Sequence, residues 1–181
     1  MSTRSMIAIH QKDGDIRSVY CHWDGYLEHN GVILYNFYDT PEKVNNLIDH
    51  GAMSYLGSEI GKKHDFSKSY YGCTFYHRDR QEDKDIHLVK VNSGLTPYIN
   101  LYKFEEEYNY IFVEETKTWL VKKYNDTVYR KLEDMLKKID YSNGWIVDVS
   151  NEEQYEKMCN FYKKFGKNVE IPKFEEVKYE I

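Results

Sequence analysis

The chain has 181 residues, of which 41% are hydrophobic, and its formal charge is −5. This length predicts a single domain over residues 1–181, with a core that needs neither disulfides nor a metal. The acidic balance argues against direct nucleic-acid binding, and no apolar run approaches the roughly 18 residues of a membrane span.

Cysteine usage favours a reducing compartment. Cys21, Cys73 and Cys159 are few and far apart, so they make neither a disulfide framework nor a CxxC zinc motif. Residues 1–5 lack the apolar segment of a secretory signal. We therefore expect a cytoplasmic protein without a cofactor or a metal.

The chain is predicted to open with a β-hairpin. Residues 5–10 and 15–21 have the composition of strands, and Asp13-Gly14 between them is a strong signal for a two-residue turn. Such a turn determines which residues of the two strands face each other.

The register that follows from a two-residue turn assigns the faces of the hairpin. It places Ile7 opposite Tyr20, and it puts Val19 and Cys21 on the same face as Ala8. Cys21 is then expected to be a small buried residue.

Two helices are predicted next. Asn30 is expected to cap a short helix over 31–38. Thr40 followed by Pro41 is a clear start for a second helix, which Gly51 ends.

The middle of the chain is predicted to be mainly extended. The pattern favours a loop at 52–68, a strand at 69–77, a loop at 78–85, a strand at 86–91, an extended segment at 98–104, and strands at 107–114 and 118–123.

The last part is predicted to contain two helices around a short strand. The elements are a helix over 126–139 capped by Asp126 or Thr127, a strand at 145–149, a helix over 151–165 capped by Ser150 with Glu153 in the capping box, and an edge strand after 168. The order predicts an α+β fold, with a mostly antiparallel sheet and three to four helices.

The segment 20–26 concentrates reactive side chains at the end of the second strand. His22 and Asp24, together with His64 and Asp65, are candidates for a general acid–base pair, with His22, Asp24 and His64 as the catalytic candidates. The alternative is structural: Asp24 and Asp65 accept backbone hydrogen bonds in turns, and His22 packs against Tyr20.

Cys21 and His22 also invite comparison with a Cys–His nucleophile. Adjacent residues of a strand point to opposite faces, which argues against such a dyad.

Arg78 and Arg80 are candidates for an anion site. On an extended segment, residues two apart project the same way, so the two guanidinium groups would bind one phosphate or carboxylate. The alternative is a solvated loop.

Trp23 and Tyr26 are candidates for an aromatic platform that binds a base or a partner side chain. Trp23 has an equally simple alternative role, which is to close one end of the core.

Several stretches resemble a family of small proteins encoded by bacteriophages and prophages. They are residues 1–9, 20–26, 30–31, 43–44, 56–57, 63–66, 73–76, 78–80, 108–112 and 119–121. The similarity extends over most of residues 1–125. It implies a viral accessory protein that acts in the cytoplasm of a bacterial host.

Two functional hypotheses follow. The first is a protein that binds and inhibits or sequesters a host factor, including counter-defence of the anti-CRISPR type; its 18 tyrosines suit a binding surface. The second is a small hydrolase or transferase that acts on a nucleotide-like anion. The resemblance implies a host protein as partner, while the residues leave a small anionic ligand open and do not determine the oligomeric state.

Overall fold

One sheet organises the part of the chain that the computed structural model describes, which is residues 1–68, 72–90, 106–143 and 149–166. Its strands are β1 (Ser5–His10), β2 (Ile16–Cys21), β3 (Met53–Tyr55), β4 (Thr74–Phe75), β5 (His87–Val89), β6 (Tyr108–Val113), β7 (Thr118–Lys123) and β8 (Arg130–Lys131). The helices are α1 (Val32–Phe37), α2 (Pro41–Asp49), α3 (Tyr76–Arg80), α4 (Leu132–Leu136) and α5 (Glu152–Phe165).

The sheet has the order β4-β3-β2-β1-β6-β7-β8, and β5 pairs with the same edge of β2 as β3 does. Most neighbours are antiparallel, while β1 pairs with β6 in parallel and β2 meets β3 in parallel at one residue pair. The predicted α+β class, opening with a β-hairpin, is confirmed. The described residues contain five α-helices, one more than the largest number predicted. The additional helix is α3.

The first hairpin turns through three residues, and the predicted two-residue turn is wrong. The N–H of Gln11 donates to the carbonyl of Asp15 at 2.8 Å, which leaves residues 12–14 as the loop. Gly14 ends this loop with a φ of 95°. Three-residue hairpin loops commonly end in such a left-handed residue, which glycine adopts without strain.

The longer loop shifts the register by one residue and exchanges the faces of β2. Ile7 lies opposite Val19 rather than Tyr20. Val19 and Cys21 therefore join Ile7 in the main core, while Ala8 packs in a smaller cluster on the other face. A shift of one residue has this effect because side chains alternate between faces. The prediction that Cys21 is buried is confirmed, on the opposite face.

The main core lies between one face of the sheet and the helices. Its sheet side includes Ile7, Ile9, Val19, Cys21, Tyr110, Phe112 and Val121, and its helix side includes Ile33, Leu34, Val44, Leu47, Ile48, Leu132, Leu136, Met158 and Phe161. Among the described residues, no helix combines the length and the apolar character that spanning a bilayer requires.

The second helix was predicted correctly. Thr40 caps α2 by accepting a hydrogen bond from the N–H of Lys43 at 3.3 Å, and Pro41 begins the helix. Gly51 follows the helix with a φ of 88°. These signals are local, so they do not depend on the rest of the fold.

Asn30 does not cap α1. A π-helical turn over Leu27–Gly31 precedes α1, so Asn30 lies within helical structure and is fully buried. Its amide donates to Ser5 Oγ at 3.1 Å and contacts Cys21 Sγ at 3.5 Å. Asn30 therefore connects the π-helical turn to the hairpin through these contacts.

Several predicted elements differ in extent. The segment 52–68 is not all loop, because it contains β3. Residues 69–71 of the strand predicted over 69–77 lie outside the described residues. Within 72–77 the strand covers Thr74–Phe75, because the Asp79 carboxylate accepts the N–H of Phe75 at 2.7 Å and helix α3 begins at the next residue.

The predicted helix over 126–139 is limited to Leu132–Leu136. Asp126 does not cap it, but closes a turn by accepting the N–H of Lys123 at 3.2 Å. Arg130–Lys131 then pairs with β7, which gives these residues sheet hydrogen bonds in place of helical ones.

The cap of the last helix moves by one residue. Asn151, not Ser150, caps α5 by accepting the N–H of Gln154 at 2.9 Å. Gln154 takes the role predicted for Glu153, since its Oε1 accepts the N–H of Ser150 at 2.8 Å. The segment 98–104, nearly all of 145–149 and the tail after 168 lie outside the described residues.

Candidate functional site

The segment 20–26 continues from the end of β2 along the edge of β3. The N–H of His22 donates to the carbonyl of Met53 at 3.1 Å, and the N–H of Trp23 donates to that of Ser54 at 2.9 Å. These bonds extend the parallel contact between the two strands and hold the backbone of the segment in place.

The turn that follows is fixed by close packing. Asp24 has a φ of 56°, and the N–H of Gly25 donates to the carbonyl of Thr3 at 2.8 Å. A Cβ at Gly25 would lie 2.8 Å from Thr3 O and 2.9 Å from Arg4 O. The hydroxyl of Tyr110 donates to the carbonyl of Gly25 at 2.8 Å. This backbone therefore has little freedom to move.

The side chains of the segment form a row of rings that ends in solvent. The Trp23 side chain is exposed, at 45%, and its ring meets that of His22 edge to face at 4.7 Å. His22 Nδ1 lies 2.7 Å from the hydroxyl of Tyr20. The prediction that Trp23 closes the core is wrong, while the packing of His22 against Tyr20 is confirmed.

Two phenols of this segment remain protonated at neutral pH. Burial raises the pKa of Tyr20 to about 12. Burial, together with the charge of Asp24, raises the pKa of Tyr26 to about 12. The Tyr26 hydroxyl donates to Asp24 Oδ1 at 3.2 Å, so Asp24 is held within the segment.

Cys21 is a core residue rather than a nucleophile. Its side chain is fully buried, and its Sγ donates to the carbonyl of Trp23 at 3.6 Å. Burial raises the pKa of the Cys21 thiol to about 12, although the hydrogen bond from Asn30 lowers it. Because the thiolate is the reactive form, this group is inert near neutral pH.

Sequence reasoning missed a polar network beneath the segment. His29 Nδ1 lies 2.9 Å from Asn30 Oδ1, and His29 Nε2 lies 3.0 Å from the hydroxyl of Tyr55. Asn30 connects this network to Ser5 and Cys21. The dipeptide Asn30-Gly31 resembles a helix start, so no local pattern marked Asn30 as buried.

A second group of predicted residues surrounds the buried carboxylate of Asp79. Arg78 donates to both of its oxygens, at 2.9 and 3.1 Å. The N–H groups of His64 and Phe75 donate to it at 2.8 and 2.7 Å. Burial alone would raise the pKa of Asp79, but these bonds outweigh burial and lower it.

Arg78 uses its remaining donors inside the chain. They bind the carbonyls of Ile60 at 3.0 Å, Gly61 at 2.9 Å and Cys73 at 2.7 Å. A guanidinium group has five N–H donors, and the bonds to Asp79 and to these carbonyls account for all five. Arg78 therefore holds the 60–61 turn to β4, and it has no donor left for an anion.

The predicted arginine fork on an extended segment is wrong. Arg78 and Arg80 both lie in α3, where residues two apart are separated by roughly 200° around the axis and do not face each other. The Arg78 guanidinium lies over the Phe75 ring at 4.9 Å, whereas that of Arg80 lies over Tyr76 at 5.3 Å.

His64 belongs to this second group and not to the row of rings. Its Nδ1 lies 3.0 Å from Thr74 Oγ1, and its ring stacks on Phe66 at 4.2 Å. Asp65 accepts the N–H of Ser67 at 3.0 Å, which confirms its predicted role in a turn. His22 with Asp24 and His64 with Asp65 are thus held by separate elements, and a catalytic role for them stays a prediction.

An acidic cavity of about 590 Å³ lies beside the two groups. Tyr20 and Tyr76 form part of its wall, together with the acids Glu82, Asp83 and Asp85. Three carboxylates would repel an anionic substrate. Among the described residues, no three His, Cys, Asp or Glu side chains are placed to hold a metal ion.

Comparisons with protein-family models, with curated proteins and with solved structures find no match to this chain. Its resemblance to the phage family, and the roles of Trp23, Tyr26 and Arg80 in ligand binding, therefore stay predictions.

Replacing Gly25 tests whether its close packing fixes the exposed segment. We expect Gly25→Ala to lower the free energy of unfolding by about 2 kcal/mol, because the added Cβ would overlap backbone atoms of Thr3 and Arg4. Urea denaturation measures this change.

Gly31→Ala is the matched control. The three atoms nearest to its Cβ would be leucine side-chain carbons at 3.4 to 3.5 Å, and its backbone is helical. Its stability should be unchanged or higher by up to about 1 kcal/mol. Equal losses in the two variants would contradict the packing argument.

Removing Arg78 tests whether it is structural. Arg78→Ala leaves Asp79 buried without its cation and should cost about 3 kcal/mol in urea denaturation. Arg80→Ala, on the same helix, removes only an exposed contact with Tyr76 and should cost under about 1 kcal/mol. A smaller loss for Arg78→Ala than for Arg80→Ala would refute this assignment.

Asp79 should make stability depend on pH. Its folded pKa lies below the ordinary 3.8, so its contribution is fully present above that value and is lost as the pH falls through the folded pKa. Urea denaturation at about pH 7 and about pH 3 should show a smaller loss on acidification for Asp79→Asn than for the native chain. Parallel losses would show that Asp79 is not the titrating group.

Proposed function

We propose that this chain is a phage-encoded accessory protein that binds a host protein and inhibits or sequesters it, as counter-defence proteins of the anti-CRISPR type do. The observation that carries the proposal is Trp23, a large exposed aromatic side chain on a rigid backbone. The family resemblance supplies the viral context.

Trp23 has the physical properties of an interface anchor. Tryptophan is enriched among the few residues that dominate binding energy. A side chain held on fixed backbone loses little conformational entropy when it binds. The bonds of Trp23 to Ser54 and of Gly25 to Thr3 and Tyr110 provide that rigidity.

The hydrolase or transferase alternative has less support from the geometry. The Cys21 thiol is buried and protonated, and the Arg78 donors are used within the chain. The cavity beside Tyr20 is lined by acids, which disfavours a nucleotide-like substrate there. These observations favour binding over turnover.

Affinity capture from a bacterial host lysate tests the proposal. The native chain should retain a stoichiometric host protein, and Trp23→Ala should retain at least about tenfold less, as expected for an anchor residue. The activity of the captured protein, such as DNA cleavage by a CRISPR nuclease, should fall when the native chain is added.

Tyr124→Ala is the matched control, since Tyr124 is an aromatic side chain that is 62% exposed and follows β7, which β1 and β6 separate from β2. It should capture the partner as the native chain does. Both variants should unfold within about 1 kcal/mol of the native chain. Failure to retain any stoichiometric partner, or equal retention by the Trp23 variant, would refute the proposal.

A further inference from the structure

A second cavity, of about 420 Å³, lies at the other end of the sheet from Trp23. It is bounded by the end of α1, the turn between β6 and β7, and helices α4 and α5, and its wall includes the rings of Tyr35 and Trp119. Its volume is within the range of small-molecule sites.

The position follows from the sheet topology. β2 is antiparallel to β1 and β6 is parallel to it. The segment 20–26 therefore lies near Ser5, at the start of β1, whereas the turn after β6 lies near His10, at its end. Strand geometry separates these ends by roughly 17 Å, so the cavity is distinct from the Trp23 surface.

Lysines neutralise the first carboxylate that lines the cavity. Lys43 binds Asp39 at 2.8 Å, and Lys157, which also lines the cavity, lies 3.7 Å from Asp39. Burial alone would raise the pKa of Asp39, but the two lysines outweigh burial and lower it.

The second lining carboxylate is neutralised in the same way. Glu133 accepts bonds from Lys164 at 3.3 Å and from the hydroxyl of Tyr35 at 3.3 Å, and Lys137 lies 3.9 Å away. Burial alone would raise the pKa of Glu133, but the lysines outweigh burial and lower it.

Lys117 adds a positive charge at the mouth. It lines the cavity, and within the described residues its ammonium group forms no ion pair. Its φ of 52° is left-handed, a conformation that costs a side-chain residue about 1 kcal/mol or more. Hairpin loops commonly end in such a left-handed residue, and here it fixes the backbone that carries the Lys117 side chain.

Two lysines and two acids line this cavity, and three further lysines, which lie outside its lining, pair with those two acids, so the seven charges together carry a positive excess. That excess contrasts with a chain whose formal charge is −5. Lysine ammonium groups are common ligands of phosphate, and a dianionic phosphate is attracted both by the unpaired Lys117 and by Lys157, whose partner Asp39 also binds Lys43.

We propose that this cavity binds a small phosphate-bearing molecule, with the phosphate held by Lys117 and Lys157. Lys157 then contacts both Asp39 and the ligand. The organic part of the ligand lies between the polar opening of the cavity and the ring side chains behind that opening.

Isothermal titration of the full chain with inorganic phosphate, ribose 5-phosphate and adenosine monophosphate tests the site, with adenosine as the uncharged probe. At least one phosphate-bearing probe should bind, and adenosine should not. Lys117→Gly and Lys157→Gln should each weaken this binding by about tenfold, the order expected for loss of a charge-assisted hydrogen bond.

The variants separate binding from folding. Lys117→Gly relieves a left-handed side-chain residue, so it should fold at least as well as the native chain. Lys163→Gln, an exposed lysine on the same helix as Lys157, should bind as the native chain does. Trp23→Ala should also leave phosphate binding unchanged, so this result is independent of the host-protein proposal.

Comparison among the probes identifies the source of the phosphate. Equal affinity for inorganic phosphate and the esters supports a site for the free anion, and tighter binding of an ester supports a phosphorylated metabolite. Absence of binding by all three at millimolar concentration, or binding that both lysine variants retain, would overturn the proposal.

Discussion

The pairing of β1 on both of its edges is the constraint on which the rest of the structure depends. β2 lies antiparallel on one edge and β6 lies parallel on the other. Every other described strand therefore lies beyond β2 or beyond β6 in the sheet. Ile7 and Ile9 face the helices, whereas Ala8 faces the smaller cluster. Because period-two alternation couples register to burial, an error of one residue on either edge would expose one core and bury polar groups in the other.

The charged residues that the sequence marks most clearly have structural roles. Arg78 and Asp79 join the 60–61 turn, β4 and the start of α3 through one buried ion pair with its hydrogen bonds. A buried pair of this kind confers geometry more reliably than net stability, because the desolvation of both ions offsets most of their attraction. Here the ion pair also positions His64, whose N–H donates to the Asp79 carboxylate.

Local signals could be predicted, and interactions between distant residues could not. The Thr40 cap depends on a few adjacent residues, so α2 was predicted correctly. The hairpin register depends on whether Gly14 ends a three-residue loop, and Asp13-Gly14 is compatible with both loop lengths. The segment 126–139 has the apolar spacing of a helix, yet Arg130 and Lys131 pair with β7 instead of forming helical hydrogen bonds. For the site, the sequence marked Trp23 as a candidate binding residue. Only the fold shows that its side chain is exposed and that its backbone is fixed.

The two candidate binding regions lie at opposite ends of a strand that is fully enclosed by the sheet. Occupants at the two ends would not touch, because β1, which is paired along both of its edges, separates them. Their binding free energies are therefore expected to add, as they do for sites without shared contacts. If both proposals hold, the chain binds a macromolecule near one end of β1 and a phosphate-bearing molecule near the other, and each can bind whether or not the other is present.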